Sequence, residues 1–138
     1  MKEMEIRNLN IVPYTLGEDF SSIKDRLSYK GTYYYERFEV YEIVDKPIAK
    51  LFNHLIDKIE LLQFNNLLIG VIIYFKDDIT HYDSIKLNID KELKVEGVLV
   101  STYKELIHCW ESDKEKLGLV QEKNNSLVVR YSLREYDI

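Results

Sequence analysis

Apolar and polar positions from residue 38 to the C-terminus follow one order twice: strand, helix, strand, strand. The first copy comprises residues 38–44, 47–63, 67–75 and 84–89, and the second 93–101, 102–117, 118–122 and 126–133. One small sheet with a single helix cannot bury its apolar face alone, so two such copies are expected to pack together. We therefore predict an α+β domain over residues 1–138, with two tandem strand–helix–strand–strand modules and a mainly antiparallel sheet. Its predicted parts are a short N-terminal extension at 1–37, a first module at 38–92 and a second module at 93–138.

The first predicted helix is indicated by an apolar stripe with the 3.6-residue helical period. Its members are Ile48, Leu51, Phe52, Leu55, Ile59 and Leu62. Asp45 is a suitable N-cap, and Pro47 fits the first turn, where its missing N–H costs little.

The second predicted helix has a shorter apolar face of Leu106, Ile107 and Trp110. Ser101 or Thr102 is its expected N-cap, and a glutamate at position 105 completes a capping box. A glycine at position 118 follows the last turn, as a C-cap glycine does.

The segment 84–101 allows two interpretations. Apolar residues at 85, 87, 89, 93 and 95 alternate, which favours a hairpin with a three-residue loop at 90–92. A helix from Ser84 would instead use Ile85, Ile89 and Leu93 as its stripe. Because the alternation accounts for more residues, we predict strands.

The two ends of the chain carry weaker patterns. Ile6, Leu9 and Ile11 indicate a strand, and residues 20–27 a short helix capped by Asp19 or Ser21. Near the C-terminus, residues 123–125 contain two asparagines and are predicted to form the turn of a hairpin.

The composition of the chain argues against some binding partners and cellular compartments. The net charge of −5 and pI near 5.3 argue against direct nucleic-acid binding, which needs a basic face. A single cysteine, Cys109, excludes an internal disulfide framework and fits a reducing compartment. The N-terminus has no signal-peptide pattern, and the longest apolar run, 67–75, is too short to span a membrane. We therefore expect a cytoplasmic protein without membrane contact.

Aromatic residues are the most suggestive chemical feature. The chain has 11 tyrosines, 5 phenylalanines and 1 tryptophan, whose ring faces can bind cations. Glu39 and Glu42 flank Tyr41 on the first predicted strand, so a lining of tyrosine and carboxylate is available. Tyrosine is also a good strand former, and an aromatic patch can equally be a protein-binding surface.

Catalytic signatures are weak. His54, His81 and His108 lack the short spacing of metal ligands, so we predict neither a metal nor another cofactor. Adjacent residues on a helix point about 100° apart, so His108 would not activate Cys109 there. No nucleophile-elbow or P-loop pattern occurs, and no catalytic residue is predicted.

The order and spacing of four segments resemble the gyrase-inhibitor-like (GyrI-like) family, which includes effector-binding domains of bacterial multidrug-sensing transcription regulators. The segments are GVIIYFKDD (70–78), YDSIKLNI (82–89), GVLVSTYKEL (97–106) and LGLVQEKNNSLVVRY (117–131). The resemblance covers about 100 of the 138 residues.

This resemblance implies a ligand cleft between the two modules, lined by aromatics and carboxylates for lipophilic cations. By position, Tyr103 matches the family's early-helix tyrosine and Tyr131 its last-strand aromatic. The chain departs from the family at Val129, where a glutamate is common, and at residues 46–48, where the usual helix opening is missing. Some relatives are hydrolases, so an enzymatic activity stays open.

Two hypotheses follow. The first is a small-molecule binding module of the GyrI-like effector-binding type, linked to transcription regulation or multidrug sensing. Its predicted ligand-binding residues are Glu39, Tyr41, Tyr74, Tyr103, Trp110 and Tyr131. The alternative is a protein-binding inhibitor, such as a toxin-immunity protein or another acidic antagonist. Whether the chain has a protein partner or forms a homodimer stays open.

Overall fold

The structure is a computed structural model. It describes residues 5–9, 11, 13–33, 37–44, 50–76, 81–100, 102, 105–122 and 126–136. In this part of the chain, nine strands and one α-helix follow three short 3₁₀ turns. The turns are Ile6–Leu9, Phe20–Ser22 and Lys24–Arg26. The strands before the helix are β1 (Leu27–Tyr33), β2 (Phe38–Ile43), β3 (Lys50–Leu51), β4 (His54–Phe64) and β5 (Leu67–Phe75). The helix is α1 (Tyr82–Leu93), and β6 (Val98–Leu99), β7 (Leu106–Glu111), β8 (Glu115–Gln121) and β9 (Leu127–Leu133) follow it.

All described strands belong to one antiparallel sheet with the order β1-β2-β4-β5-β9-β8-β7-β6, and β3 pairs with β4 outside this path. The strands before α1 and those after it form two meanders. They meet where β5 pairs with β9. The chain is thus of α+β class and rich in sheet, and a single sheet contains strands of both predicted modules.

Each face of the sheet has its own apolar cluster. The N-terminal turns and α1 cover one face, where Phe20, Ile85 and Ile89 pack over buried residues of the central strands. The opposite face has a smaller cluster: Phe38, Val40, Leu62, Ile69, Ile72, Val120 and Val128. Because side chains alternate along a strand, Tyr41 and Val40 point to different faces.

The strands predicted at 38–44, 67–75 and 126–133 are confirmed as β2, β5 and β9. The hairpin between β8 and β9 is confirmed by their antiparallel pairing, which runs from the pair Glu115–Leu133 to the pair Gln121–Leu127. Its turn at 123–125 lies outside the described residues. Of the two predicted caps, Asp19 and Ser21, Asp19 caps the 3₁₀ turn Phe20–Ser22, since its side chain accepts a hydrogen bond from the Ser21 amide.

The helix predicted over 47–63 is wrong from residue 50 onward, because this segment forms β3 and β4. The helical stripe predicted a buried Leu55 and did not include Leu61, whereas Leu55 is 44% exposed and Leu61 is fully buried. Phe52 and Asn53 have φ of 52° and 67°, so they make the two-residue turn that reverses the chain into β4. Asp45 and Pro47 lie outside the described residues.

The strand predicted over 84–89 is also wrong, and the helical interpretation of this segment is correct. Ile85, Ile89 and Leu93 are buried along α1, while Leu87 is 64% exposed. The predicted hairpin loop at 90–92 falls inside this helix, which ends at Leu93 and is followed by Lys94 with a left-handed φ of 58°. Of the strand predicted over 93–101, the short β6 remains.

The second predicted helix, 102–117, is wrong because it forms β7 and the start of β8. The two S/T-x-x-E segments in this region close chain reversals instead of opening a helix. The Glu105 amide donates to Thr102 Oγ1 at 3.0 Å, and the Glu115 amide donates to Ser112 Oγ at 3.2 Å. Gly118 pairs with Cys109 and Arg130 inside the sheet and is not a C-cap.

The N-terminal region and the predicted repeat complete the comparison with the structure. Ile6–Leu9 is a 3₁₀ turn and not a strand, and the helix predicted over 20–27 consists of two 3₁₀ turns that lead into β1. The strand β1 itself was not predicted. Since the described residues contain one α-helix, the plan of two strand–helix–strand–strand copies is not confirmed.

Candidate functional site

Three of the predicted ligand-binding residues lie in one row across the helix-covered face of the sheet. The row follows the strand pairings Tyr41, Leu61, Val71, Tyr131, Leu117 and Trp110. Tyr41 and Trp110 are its two ends, with four strands between them. Tyr41, Tyr131 and Trp110 are all buried. The ring centroids of Tyr41 and Phe20 are 4.9 Å apart. These side chains fill the core along this row.

The other predicted residues occupy different places. Glu39 accepts hydrogen bonds from Gln63 Nε2 and from the Tyr41 hydroxyl, the latter at 3.5 Å. Tyr74 lies on the opposite face, where Lys58 Nζ is 4.5 Å from its ring centroid. Tyr103 lies outside the described residues. Glu39 and Tyr41 are therefore the two predicted residues that the structure brings into direct contact.

A polar network connects the Trp110 indole to α1. Its Nε1 donates to Asp90 Oδ1 at 2.9 Å and to the Val95 carbonyl oxygen at 3.3 Å. The Gly97 amide donates to the same Asp90 oxygen at 2.7 Å, and Lys86 Nζ is 2.8 Å from the other. Burial by itself would raise the pKa of the Asp90 carboxyl, but the hydrogen bonds from Lys86, Gly97 and Trp110 lower it overall.

A half-open pocket of about 330 Å³ lies beside this network. It is lined by Val95, Glu96, Val98, Val100, Cys109, Trp110 and Glu111. The three valines are exposed, with Val98 at 64%, so the pocket has apolar walls next to solvent. Its two carboxylates are near cations of the chain: Glu96 is 3.7 Å from Lys86 Nζ, and Glu111 is 3.4 Å from Arg134 Nη2.

Sequence reasoning identified Trp110 but missed its partners. Lys86 and Asp90 are four residues apart, which is the spacing of an ion pair on one helix face. This signal was available only in the helical interpretation of residues 84–93. The strand interpretation directed Asp90 into a loop and so separated it from Trp110.

A second polar link joins α1 to the sheet. The Tyr82 hydroxyl donates to the Leu119 carbonyl oxygen at 3.1 Å and shares a hydrogen bond of 2.8 Å with His108 Nδ1. Burial raises the pKa of Tyr82 above its ordinary value. Burial, followed by the positive charge of Lys86, lowers the pKa of His108. Both shifts favour the neutral form of the group, which suits a structural link between helix and sheet.

An open cleft of about 480 Å³ lies where β3 meets α1. It is lined by Leu9, Lys50, Leu51, Phe52, Asn53, Asn88 and Glu92. Its lining is more polar than that of the pocket beside Trp110, because two amides and two charged side chains contribute to it.

The described part of the chain shows no cluster of three or more His, Cys, Asp or Glu side chains that could hold a metal ion. Among the same residues, no helix is long and apolar enough to cross a membrane.

Comparison of the chain with protein-family models, with curated proteins and with solved structures gave no match. The resemblance to the GyrI-like family therefore stays a prediction.

Proposed function

We propose that this chain binds a small lipophilic aromatic cation in the pocket beside Trp110. The observation that carries the proposal is the combination of exposed valine walls, a buried indole and two carboxylates around one cavity of about 330 Å³. Cavities that hold small ligands are typically about 300–1,000 Å³ in volume and mostly apolar. This pocket is at the lower end of that range, which suits a ligand of a few rings.

Among the described residues, the lining of the pocket has two carboxylates and no Lys or Arg, which favours a cation over an anion, while Lys86 and Arg134 offset part of this charge from outside the lining. Glu96 has a side chain that is 85% exposed, and Glu111 is half exposed, so a ligand can approach both. The net charge of −5 adds an attractive field for cations at low ionic strength. The same ligand class is expected of a GyrI-like effector-binding domain, and a role in multidrug sensing or transcription regulation would then require a separate DNA-binding partner.

Tryptophan fluorescence tests this proposal directly, because Trp110 is the single tryptophan of the chain. Titration with tetraphenylphosphonium should change the Trp110 emission with saturation. Tetraphenylborate, which has the same shape and the opposite charge, should do so much less. Equal responses to the two ions, or no response to either, would contradict a cation pocket.

Two sets of variants locate the binding. Val98→Arg blocks the pocket and should abolish the response, whereas Leu87→Arg, at an equally exposed position on α1, should preserve it. Replacing both Glu96 and Glu111 by Gln should weaken binding by roughly threefold to tenfold, the scale of two exposed charge interactions. The matched control is Asp25→Asn in the N-terminal 3₁₀ turn, where affinity should not change.

The second candidate is a protein-binding inhibitor, favoured by the exposed apolar residues of β6. This strand ends the sheet, and Leu99 is 56% exposed. An edge strand offers main-chain N–H and C=O groups to which a partner can add a strand. Affinity capture with wild type, Leu99→Lys and Leu87→Lys tests it: the partner should be lost in Leu99→Lys alone. Capture of no partner by wild type, or the same capture by all three chains, would reject this candidate.

A further inference from the structure

The guanidinium group of Arg37 lies among three aromatic rings on the sheet face opposite α1. Its Cζ atom is 5.1 Å from the ring centroid of Phe38, 5.8 Å from that of Phe64 and 5.9 Å from that of Tyr136. All three distances are within the range of about 6 Å over which a ring face attracts a cation. We call Phe38, Phe64 and Tyr136 the aromatic cage.

The rings of the cage come from three separate segments and stand at steep angles to one another. Phe38 begins β2, Phe64 ends β4, and Tyr136 follows β9. Their centroids are 5.7–6.0 Å apart, and the interplanar angles are 84° for Phe38 with Phe64, 79° for Phe38 with Tyr136 and 58° for Phe64 with Tyr136. Rings arranged in this way form walls around a cation, whereas stacked rings would leave it no space.

Arg37 contacts the cage through its guanidinium group. It is an exposed residue in the turn before β2, and among the described residues no salt bridge joins it to a carboxylate. A guanidinium is weakly hydrated compared with a primary ammonium, so it loses little hydration when it lies against a ring face. The Arg37 Cζ atom is 5.1 Å from the Phe38 ring centroid, so a ligand cation can occupy this position over the ring only when Arg37 leaves it.

We propose that the aromatic cage is a second binding site, for the quaternary ammonium or guanidinium group of a ligand, and that Arg37 is its internal occupant. The site is distinct from the pocket beside Trp110, because the cage uses β2, β4 and the segment after β9, whereas that pocket uses β6, β7 and the segment after α1. It stands on its own geometry and does not depend on the function proposed for that pocket. Binding requires Arg37 to move out, so the apparent affinity is reduced by the fraction of molecules in which the cage is open.

Choline and its neutral isostere 3,3-dimethyl-1-butanol are suitable probes, because they differ in charge and share their shape. Aromatic-region NMR on the whole chain reports the ring protons of Tyr136 and Phe64. In wild type, choline should shift these signals weakly, and in Arg37→Gln it should bind at least about tenfold more tightly, since the occupant is gone. The neutral alcohol should shift them little in either protein.

Two matched variants separate this site from a general aromatic effect. Among the described residues Lys58 lies over one ring, that of Tyr74, so Lys58→Gln removes a cation without opening the aromatic cage and should not increase choline affinity. Adding Tyr136→Leu to Arg37→Gln keeps an apolar side chain at this position and removes one ring of the cage, so choline affinity should fall at least fivefold. Retention of the one-dimensional methyl and amide spectrum confirms that each variant is folded.

The proposal is overturned if choline and the neutral alcohol bind Arg37→Gln equally, or if Arg37→Gln binds choline no more tightly than wild type. It is also overturned if removing the Tyr136 ring leaves the affinity of Arg37→Gln unchanged.

Discussion

At the scale of single residues, the close contact with the Trp110 indole leaves no space for a side chain at Gly97. A Cβ atom at this position would lie 2.5 Å from Cζ2 of the indole, far inside van der Waals contact. We expect Gly97→Ala to lower the free energy of unfolding by about 1–3 kcal/mol, the usual cost of overpacking. Denaturant unfolding followed by Trp110 fluorescence measures this change.

Gly118→Ala is the matched control for this prediction, because a Cβ there would meet its nearest neighbour at an ordinary 3.8 Å. It should leave stability unchanged or raise it slightly, since glycine weakens a strand interior. Similar losses in both variants would show that the contact between Gly97 and Trp110 is not the cause.

The titration of His108 also belongs to the residue scale. Its folded-state pKa is lowered, chiefly by burial, so folding favours the neutral ring. The corresponding stability is fully present above the unfolded pKa of about 6.5 and is lost as the pH falls through the lower folded pKa. Thermal unfolding midpoints measured from pH 8 to pH 5 should therefore decline less steeply in His108→Gln than in wild type. Identical slopes would contradict this assignment.

At the scale of elements, the T-x-x-E segment from Thr102 to Glu105 explains in part why one helix was predicted wrongly. The hydroxyl-to-amide hydrogen bond of a capping box also closes a tight turn between strands, as it does from Ser112 to Glu115. Strand β5 could be predicted because its nine residues are almost continuously apolar and exclude an amphipathic helix. Strand β4 could not, because its spacing of apolar residues fits both periods and its bulges break the alternation.

The turn between β7 and β8 gives a prediction at this scale. Ser112→Ala removes the acceptor for the Glu115 amide and should lower the free energy of unfolding by roughly 1 kcal/mol. Ser112→Thr keeps the hydroxyl and should retain most of the stability, as urea titration can show. A loss in Ser112→Thr as large as in Ser112→Ala would mean that the hydroxyl bond is not responsible.

At the scale of the whole molecule, the candidate site depends on which parts of the chain meet, and the sequence pattern gives little of that information. Trp110 could be singled out as an aromatic residue, but its pocket exists because α1 brings Asp90 to it and the segment after α1 borders it. Tyr41 and Tyr131 carry the same aromatic signal and are core residues in the row across the sheet. Residue type alone does not separate these roles, since burial is set by pairing between distant strands.

The pairing of β5 with β9 is the ladder that joins the two meanders, so we expect the whole sheet to unfold as one unit. Val129 on β9 is fully buried between Ile73 on β5 and Leu119 on β8. Val129→Ala leaves a small cavity at this junction and should lower the free energy of unfolding by roughly 1–3 kcal/mol. Fluorescence of Trp110 reports the β6–β9 meander, while far-ultraviolet circular dichroism reports all strands, and both transitions should shift by the same amount.

If the Trp110 transition moves away from the circular dichroism transition, the two meanders unfold separately. The pocket beside Trp110 and the aromatic cage would then belong to independent units, because the cage is built mainly on the first meander.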